Sequence, residues 1–333
     1  MNLAFLVVGV VVLVVTLVDM LWTALWVDGG AGPLSARLST AAWHALRTVG
    51  DGDSRSLSLA GPLILVLTLV VWVGLIWVGW TLVFGGAESA LVYSRGDSPV
   101  TWANRSYFVA YSMFTMGNGD YYPSTALWEF AASLTTATGM LSVTMAVSYV
   151  LSVLSAVVEK RSFASSVSGL GEDGEDVVET GWGDDGFRPL ELPVNSLASD
   201  LDTLAAQHKA YPILHYYHSD EASKSSPMAV AVFDEALTLL RFGVPEDDRL
   251  NEALVESGRS AAKNYTETLD NAFIEPAEEA PKPPDLDRLR RAGIPTVDDG
   301  EFAAAVDDLG ERRRTLLGAV RADAWYWPPV NNE

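Results

Sequence analysis

The sequence predicts an all-α membrane protein with a separate helical, water-facing C-terminal region, and three observations carry that prediction. Long apolar runs lie at 3–27, 59–84 and 126–158. As helices rising ~1.5 Å per residue, each is long enough to cross a hydrocarbon core of ~30 Å. Charge is divided unevenly. Residues 1–160 hold 6 of the 22 Lys and Arg and 9 of the 43 Asp and Glu, a net of −3, so −18 of the total −21 falls on 161–333. Finally, apolar residues beyond Leu192 recur at helical rather than strand spacing.

This composition excludes several classes. Nucleic acid needs a basic footprint, and the chain has the reverse. Zero cysteines rule out disulfides, zinc–thiolate sites and thiol catalysis. No nucleophile-elbow G-x-S-x-G is present and no catalytic constellation converges, so no enzyme is expected. Dense Asp and Glu with little Lys suits a protein living in high salt, the plainer alternative being simply an acidic protein.

The first run, Leu3 to Val27, lacks the basic start and small-residue cleavage site of a signal peptide and reads as a retained helix. Asp19 interrupts it. A carboxylate there must face protein or water, either as an ion-pathway group or as a buried structural acceptor. Residues 28–57 form a polar connector whose stretch from Leu34 to Arg47 has helical spacing, suiting the membrane interface or another subunit. The second run carries Trp72, Trp77 and Trp80 towards one end, as an interfacial belt would. A Gly- and Ser-rich loop follows at 85–98. Ser98-Pro99 reads as an N-cap and first helical residue, opening a short helix that ends near Phe114.

Next comes Thr115-Met116-Gly117-Asn118-Gly119-Asp120, with glycines at alternate positions. Glycine tolerates positive φ, so such a strand can turn successive carbonyls to one side. Four strands around an axis would then stack rings of oxygens able to replace a cation's hydration shell. The residues between the second and third runs, 98–123, thus read as a short helix aimed into the membrane and a re-entrant loop.

At these residues the chain resembles the potassium-channel pore family, whose signature is Thr-Val-Gly-Tyr-Gly-Asp. Asn118 stands where that family has an aromatic. The resemblance covers roughly 59–158. It implies a potassium-channel-like pore domain with an added N-terminal transmembrane helix, no cofactor, and K⁺ as the permeant ion. One strand per chain cannot encircle an ion, so it also implies a homotetramer. Tyr107 and Phe108 fall where the family's aromatic cuff sits, Tyr111 where some members pair a glutamate with the filter aspartate, and Tyr121 and Tyr122 could add bracing. Asn118 is shorter than the aromatic it replaces, which leaves a non-selective Na⁺/K⁺ channel of the same fold as the alternative. Gly139 lies where the family often has an inner-helix hinge; close packing of small residues is the other reading. Carried further, the spacing puts Met140, Val143, Val147 and Leu151 on the conduction path below the filter. The family's usual nucleotide-binding regulatory domain is not recognisable. No helix repeats Arg or Lys every third residue, so no voltage sensor is expected.

A filter entering from outside puts the N-terminus outside and the connector and C-terminal region in the cytoplasm, at the plasma membrane. Arg37, Arg47, Arg55, Lys160 and Arg161 then lie inside, as the positive-inside rule requires, with Arg95 and Arg105 as exceptions. The expected domains are 1–58 (first helix and connector), 59–160 (pore domain, inner helix 126–158), an acidic flexible linker at 161–190, and a helical domain at 191–333. Within the last, helices are expected near 194–211, 227–242, 246–273 and 298–325. His208, His215 and His218 cluster there as a metal or pH-sensing group or as ordinary packed histidines. A membrane-anchored sensor or scaffold, its helical domain binding a partner, is the reading from a different class.

Overall fold

The computed structural model describes residues 2–27, 29–49, 57–96, 98–270 and 274–328; Arg55 and Phe273 lie outside them. The chain forms two compact units, residues 1–45 with 62–153, and 46–61 with 154–333. These divisions fall away from the expected boundaries at 58 and 160 because the third long helix runs on into the core of the second unit.

Among the described residues, α1 (Leu3–Leu25), α3 (Ala60–Gly85) and α5 (Ala126–Ser168), which make up most of the first unit, are the three helices long and apolar enough to span a membrane. Gly9, Leu13, Thr16, Met20 and Thr23 form the buried seam of α1, while most of its valines face outward. Gly9 and Gly79 make the seam possible. A methyl on Gly9 would sit 2.7 Å from the Gly79 carbonyl oxygen, and one on Gly79 would sit 2.8 Å from Leu13. Small residues let membrane helices approach this closely.

Asp19 is a structural acceptor. Its carboxylate accepts from the Leu34 and Ser35 amides (2.8 and 3.2 Å), the Ser35 hydroxyl (2.5 Å) and the Trp72 indole (3.0 Å). It thereby receives the first amides of α2 (Pro33–Val49) and ties α1 to α3. The tryptophans of α3 act as tethers to other segments, with Trp77 also exposed. Besides Trp72, the Trp77 indole donates to the Ser106 carbonyl at 2.9 Å and Trp80 to the Thr138 hydroxyl at 2.8 Å.

Between α3 and α5 lie β1 (Leu91–Tyr93), the short helix α4 (Trp102–Met113) and β2 (Tyr121–Pro123). The two strands pair antiparallel, Leu91 with Pro123 and Tyr93 with Tyr121. The unit is otherwise helical, as expected; within it the segment read as a plain loop holds a β-prone Leu-Val-Tyr triplet that pairs with the residues after Asp120. α4 starts later than Ser98-Pro99 suggested. Thr101 is its N-cap, forming a reciprocal capping box with Asn104.

In the second unit, α8 (Ser226–Thr238) is buried along its whole length and forms the core. Directly against it pack α6 (Gly174–Gly181), α9 (Glu252–Asp270) and α12 (Gly310–Ala322), while α7 (Glu191–Ala210) packs on α9, α10 (Leu286–Arg291) on α6 and α11 (Asp299–Asp308) on α12. The helix expected at 298–325 is thus two, broken at Leu309. Two acidic residues of α8 need partners at such depth, and adjacent arginines of α12 supply them. Arg313 grips Glu235 with two bonds, 2.9 and 3.1 Å, and Arg312 grips Asp234.

The expected flexible linker at 161–190 is folded. α5 continues to Ser168, and Phe163, Ala164, Val167, Val177, Val178 and Phe187 all join the core. The acidic residues that made it look disordered have defined roles. Asp173 caps α6, and Arg288 binds Asp173, Asp176 and Glu179.

Candidate functional site

The site begins with α4, whose C-terminus leads directly into the glycine-alternating strand. Thr115, Gly117 and Gly119 have positive φ (56°, 64° and 71°), while Met116 and Asn118 between them do not. Alternation of left- and right-handed residues turns successive carbonyls the same way along an extended strand. Glycine makes two of the three conformations inexpensive. Thr115 bears the third with its amide bonded to the Ser112 carbonyl, followed by Met116 to Tyr111 (3.2 and 2.8 Å). Residues 114–119 are exposed in the protomer, so this strand has an open face.

Its other face is braced. The Asn118 side-chain amide donates to the Tyr107 hydroxyl, so the amide bonds to α4 from the position where an aromatic was expected. Tyr107 packs edge-on against Tyr111 and Tyr121. The Tyr111 hydroxyl donates to the Tyr121 carbonyl at 2.6 Å, so Tyr111 holds the backbone after the filter and does not pair with the aspartate. Asp120 faces Arg95 at 3.5 Å; Arg95 is largely exposed, and such a pair contributes little. Phe108 takes the α3 side of α4 within the protomer. It is buried against Phe84 of α3 and the ring of Tyr111. The Tyr122 side chain is half exposed, and this residue acts through its strand pairing with Val92.

Behind the filter, Gly139 of α5 touches the end of α4. A methyl there would lie 2.4 Å from the Met113 carbonyl oxygen and 2.8 Å from Met113 Cα. One turn earlier, the Thr136 hydroxyl donates to the Ser112 carbonyl at 3.1 Å. α5 is an unbroken helix through this point. Gly139 therefore serves close approach here, as the packing reading of this glycine has it. Below it, Met140, Val143, Val147 and Leu151 are all exposed in the protomer, and Leu154 and Val158 extend the same apolar stripe.

Arg105 was recognised in the sequence only as a misplaced charge. It is buried, and its guanidinium donates to the carbonyls of Phe84 (2.5 Å), Ala87 (2.7 Å), Glu88 (3.2 Å) and Val100 (3.4 Å). A cation at these carbonyls satisfies the C-terminal end of α3 and locks α4 to it. A lone arginine inside an otherwise uncharged pore helix was the available signal.

In the second unit the three histidines do not converge on a metal, and no metal-binding cluster of three or more His, Asp or Glu exists among the described residues. His208 is buried with Nδ1 3.0 Å from the Leu204 carbonyl, and His218 lies 3.3 Å from Asp323. Burial, then the Lys160 ammonium, pushes His208 down to about 3 and His215 down to about 4. Lys160 itself donates to the Leu214 and Tyr217 carbonyls.

Residues 80–156 match the family Ion_trans_2, described as "Ion channel". Over 328 residues the chain is 43% identical to the uncharacterized membrane protein YdjJ of Bacillus subtilis (strain 168), covering 98% of this chain and 96% of that protein. The chain belongs to this membrane-protein family. In this chain an ion-channel domain of the two-transmembrane, potassium-channel-like type is joined to an extra N-terminal helix and a helical C-terminal region. No solved structure matches the chain.

Proposed function

We propose that the chain is one subunit of a homotetrameric cation channel that conducts K⁺ through Thr115–Asp120. The observation that supports this most directly is the alternating positive φ at Thr115, Gly117 and Gly119 on a strand whose open face has no partner within the protomer. Four copies about an axis would bring these faces together. The carbonyls would then stand in for water around a dehydrated ion. The C-terminal end of α4, partially negative, adds to the attraction. The apolar stripe from Met140 to Leu151 would line the path beneath, where an apolar constriction can close by dewetting. The outer end of the filter and the N-terminus would face outward and the second unit the cytoplasm, at the plasma membrane.

Asn118 decides between K⁺ and a non-selective pore. Selectivity requires carbonyls held at a set spacing, and the bond from Asn118 to Tyr107, with Tyr111 on Tyr121, supplies a brace on each side of Gly119. This favours K⁺. The test is the bi-ionic reversal potential of purified protein in a planar bilayer, K⁺ on one side and Na⁺ on the other. A value near the K⁺ equilibrium potential is expected, moving towards zero in Tyr107→Phe, which loses the acceptor for Asn118. A value near zero in the unaltered protein would establish the non-selective alternative, and absence of current in every condition would defeat the channel reading.

A further inference from the structure

α4 ends in a defined cap. Beyond its last turn the Thr115 amide donates to the Ser112 carbonyl at 3.2 Å and the Met116 amide to the Tyr111 carbonyl at 2.8 Å, with Phe114 as the C-cap. These are the two bonds of a Schellman motif, in which the residue after the C-cap takes a left-handed conformation. Glycine is the common occupant of that position; here it is Thr115, at a φ of 56°. A β-branched residue rarely adopts positive φ, and it stays there only where its surroundings over-determine it. The cap thereby sets the direction in which the chain leaves α4 and enters the strand through Gly117 and Gly119.

Part of that constraint comes from α5. The Thr136 hydroxyl lies 3.1 Å from the Ser112 carbonyl oxygen, the acceptor that already holds the Thr115 amide, and 3.3 Å from the Ala132 carbonyl of its own helix. A carbonyl oxygen has two lone pairs, so Ser112 can hold the amide and the hydroxyl together. A helical Ser or Thr often returns its proton to the carbonyl four residues back, as Ser133, Thr135 and Thr144 do. Thr136 reaches across to α4 as well. One turn on, Gly139 abuts the next carbonyl, that of Met113, so the backbone of α5 leaves the end of α4 no room to turn. The tethers of α4 to α3, through Arg105 and Trp77, engage its first half and leave the cap to α5. We propose that Thr136 is a positioning residue for the filter: by holding the Ser112 carbonyl it fixes the turn at Thr115, and with it the spacing of the oxygens beyond. Its effect on ions rests on the channel reading above, because carbonyl placement governs selectivity; its hold on the cap does not.

The experiment compares the full chain with three variants. Thr136→Val keeps the shape and removes the proton, Thr136→Ser restores a hydroxyl, and Thr144→Val removes a hydroxyl bonded within α5. Hydrogen exchange in nanodiscs reads the cap directly. In Thr136→Val, exchange at the Thr115 and Met116 amides should rise roughly two- to tenfold, the range for one lost hydrogen bond, while exchange across 105–110 stays unchanged. Thr136→Ser should return most of the protection. Bi-ionic recording in planar bilayers reads the ions: the permeability ratio of K⁺ to Na⁺ should fall by a similar factor in Thr136→Val and hold in Thr144→Val. Unchanged exchange at the cap, or a rise spread evenly over α4, overturns the positioning role. Raised exchange at the cap with an unchanged permeability ratio overturns its link to selectivity. If cap exchange responds as stated while the unaltered protein passes K⁺ and Na⁺ alike, or passes neither, the hold on the cap stands and the K⁺ or channel reading falls instead.

Discussion

Gly139→Ala separates two roles for the glycine behind the filter. If Gly139 merely allowed α5 to bend, alanine would stiffen and stabilise the helix, because the Gly-to-Ala change in a helix interior is worth about 1 kcal/mol. The structure predicts the opposite. The new methyl would lie 2.4 Å from the Met113 carbonyl oxygen and 2.8 Å from its Cα, about 1 Å short of ordinary contact, and the obstacle is backbone. Overpacking of this kind costs about 1–3 kcal/mol. The net effect is a loss on the order of 1 kcal/mol, read as a fall in Tm of roughly 2–4 °C for a chain of this size. Relief must come from moving the end of α4, two residues before Thr115, so conductance or ion selectivity should change as well. Gly74→Ala is the control. A methyl there meets nothing within 4 Å, and the substitution should raise Tm through helix propensity alone. Thermal unfolding in nanodiscs and bilayer recording of both variants give the answer. If Gly139→Ala were as stable as Gly74→Ala and conducted normally, the close-packing argument would be refuted.

Three further outcomes follow from the geometry. Asp19→Ala removes the acceptor of four hydrogen bonds and should cost about 3 kcal/mol or more, with Asp19→Asn intermediate, both read by thermal unfolding. His208 titrates at about 3 in the folded protein against ~6.5 unfolded. The unfolded chain therefore binds the extra proton first as pH falls below 6.5, and stability is lost through the window from about 6.5 down to 3. At pH 5 that loss is about 2 kcal/mol from His208 alone; the partly exposed His215 adds a smaller share. His208→Phe should flatten the pH dependence of Tm, and an unchanged slope would contradict it. Arg288→Gln frees Asp173, Asp176 and Glu179. Hydrogen exchange should rise across 171–187 while the amides of α8 stay protected, and a uniform response would show that α6 is not held by that arginine.

The spanning helices and the alternating backbone of the glycine strand were legible in the sequence because their signals are local: a continuous apolar run, and two glycines at alternate positions after a short helix. What escaped depended on partners distant in the chain. The acidic composition of 161–190 reads as disorder until Arg288, more than a hundred residues away, appears among its carboxylates. Trp72, Trp77 and Trp80 look like a belt by spacing, yet their N–H groups answer to Asp19, Ser106 and Thr138 on three other segments. Gly139 had two readings from sequence, since both a bend and a close approach call for a missing side chain; the close approach needs the Met113 backbone, which local sequence does not reveal. The site residues divide similarly. Tyr107 was placed by its distance from Thr115 and bonds to Asn118, whereas Phe108, its neighbour, turns to α3 because successive helical residues face different sides.

Asp19 also bears on how the protein is made. Every donor to its carboxylate lies later in the chain, and the last, Trp72, follows 53 residues behind. While α1 alone is synthesised, that carboxylate has no protein partner, and a lone aspartate in hydrocarbon costs about 2.5–3.5 kcal/mol on insertion scales. Three of the four donors arrive with α2, directly after α1, and the fourth with α3, so the network around Asp19 is complete only once both have been made. The N-terminal helix waits on its successors.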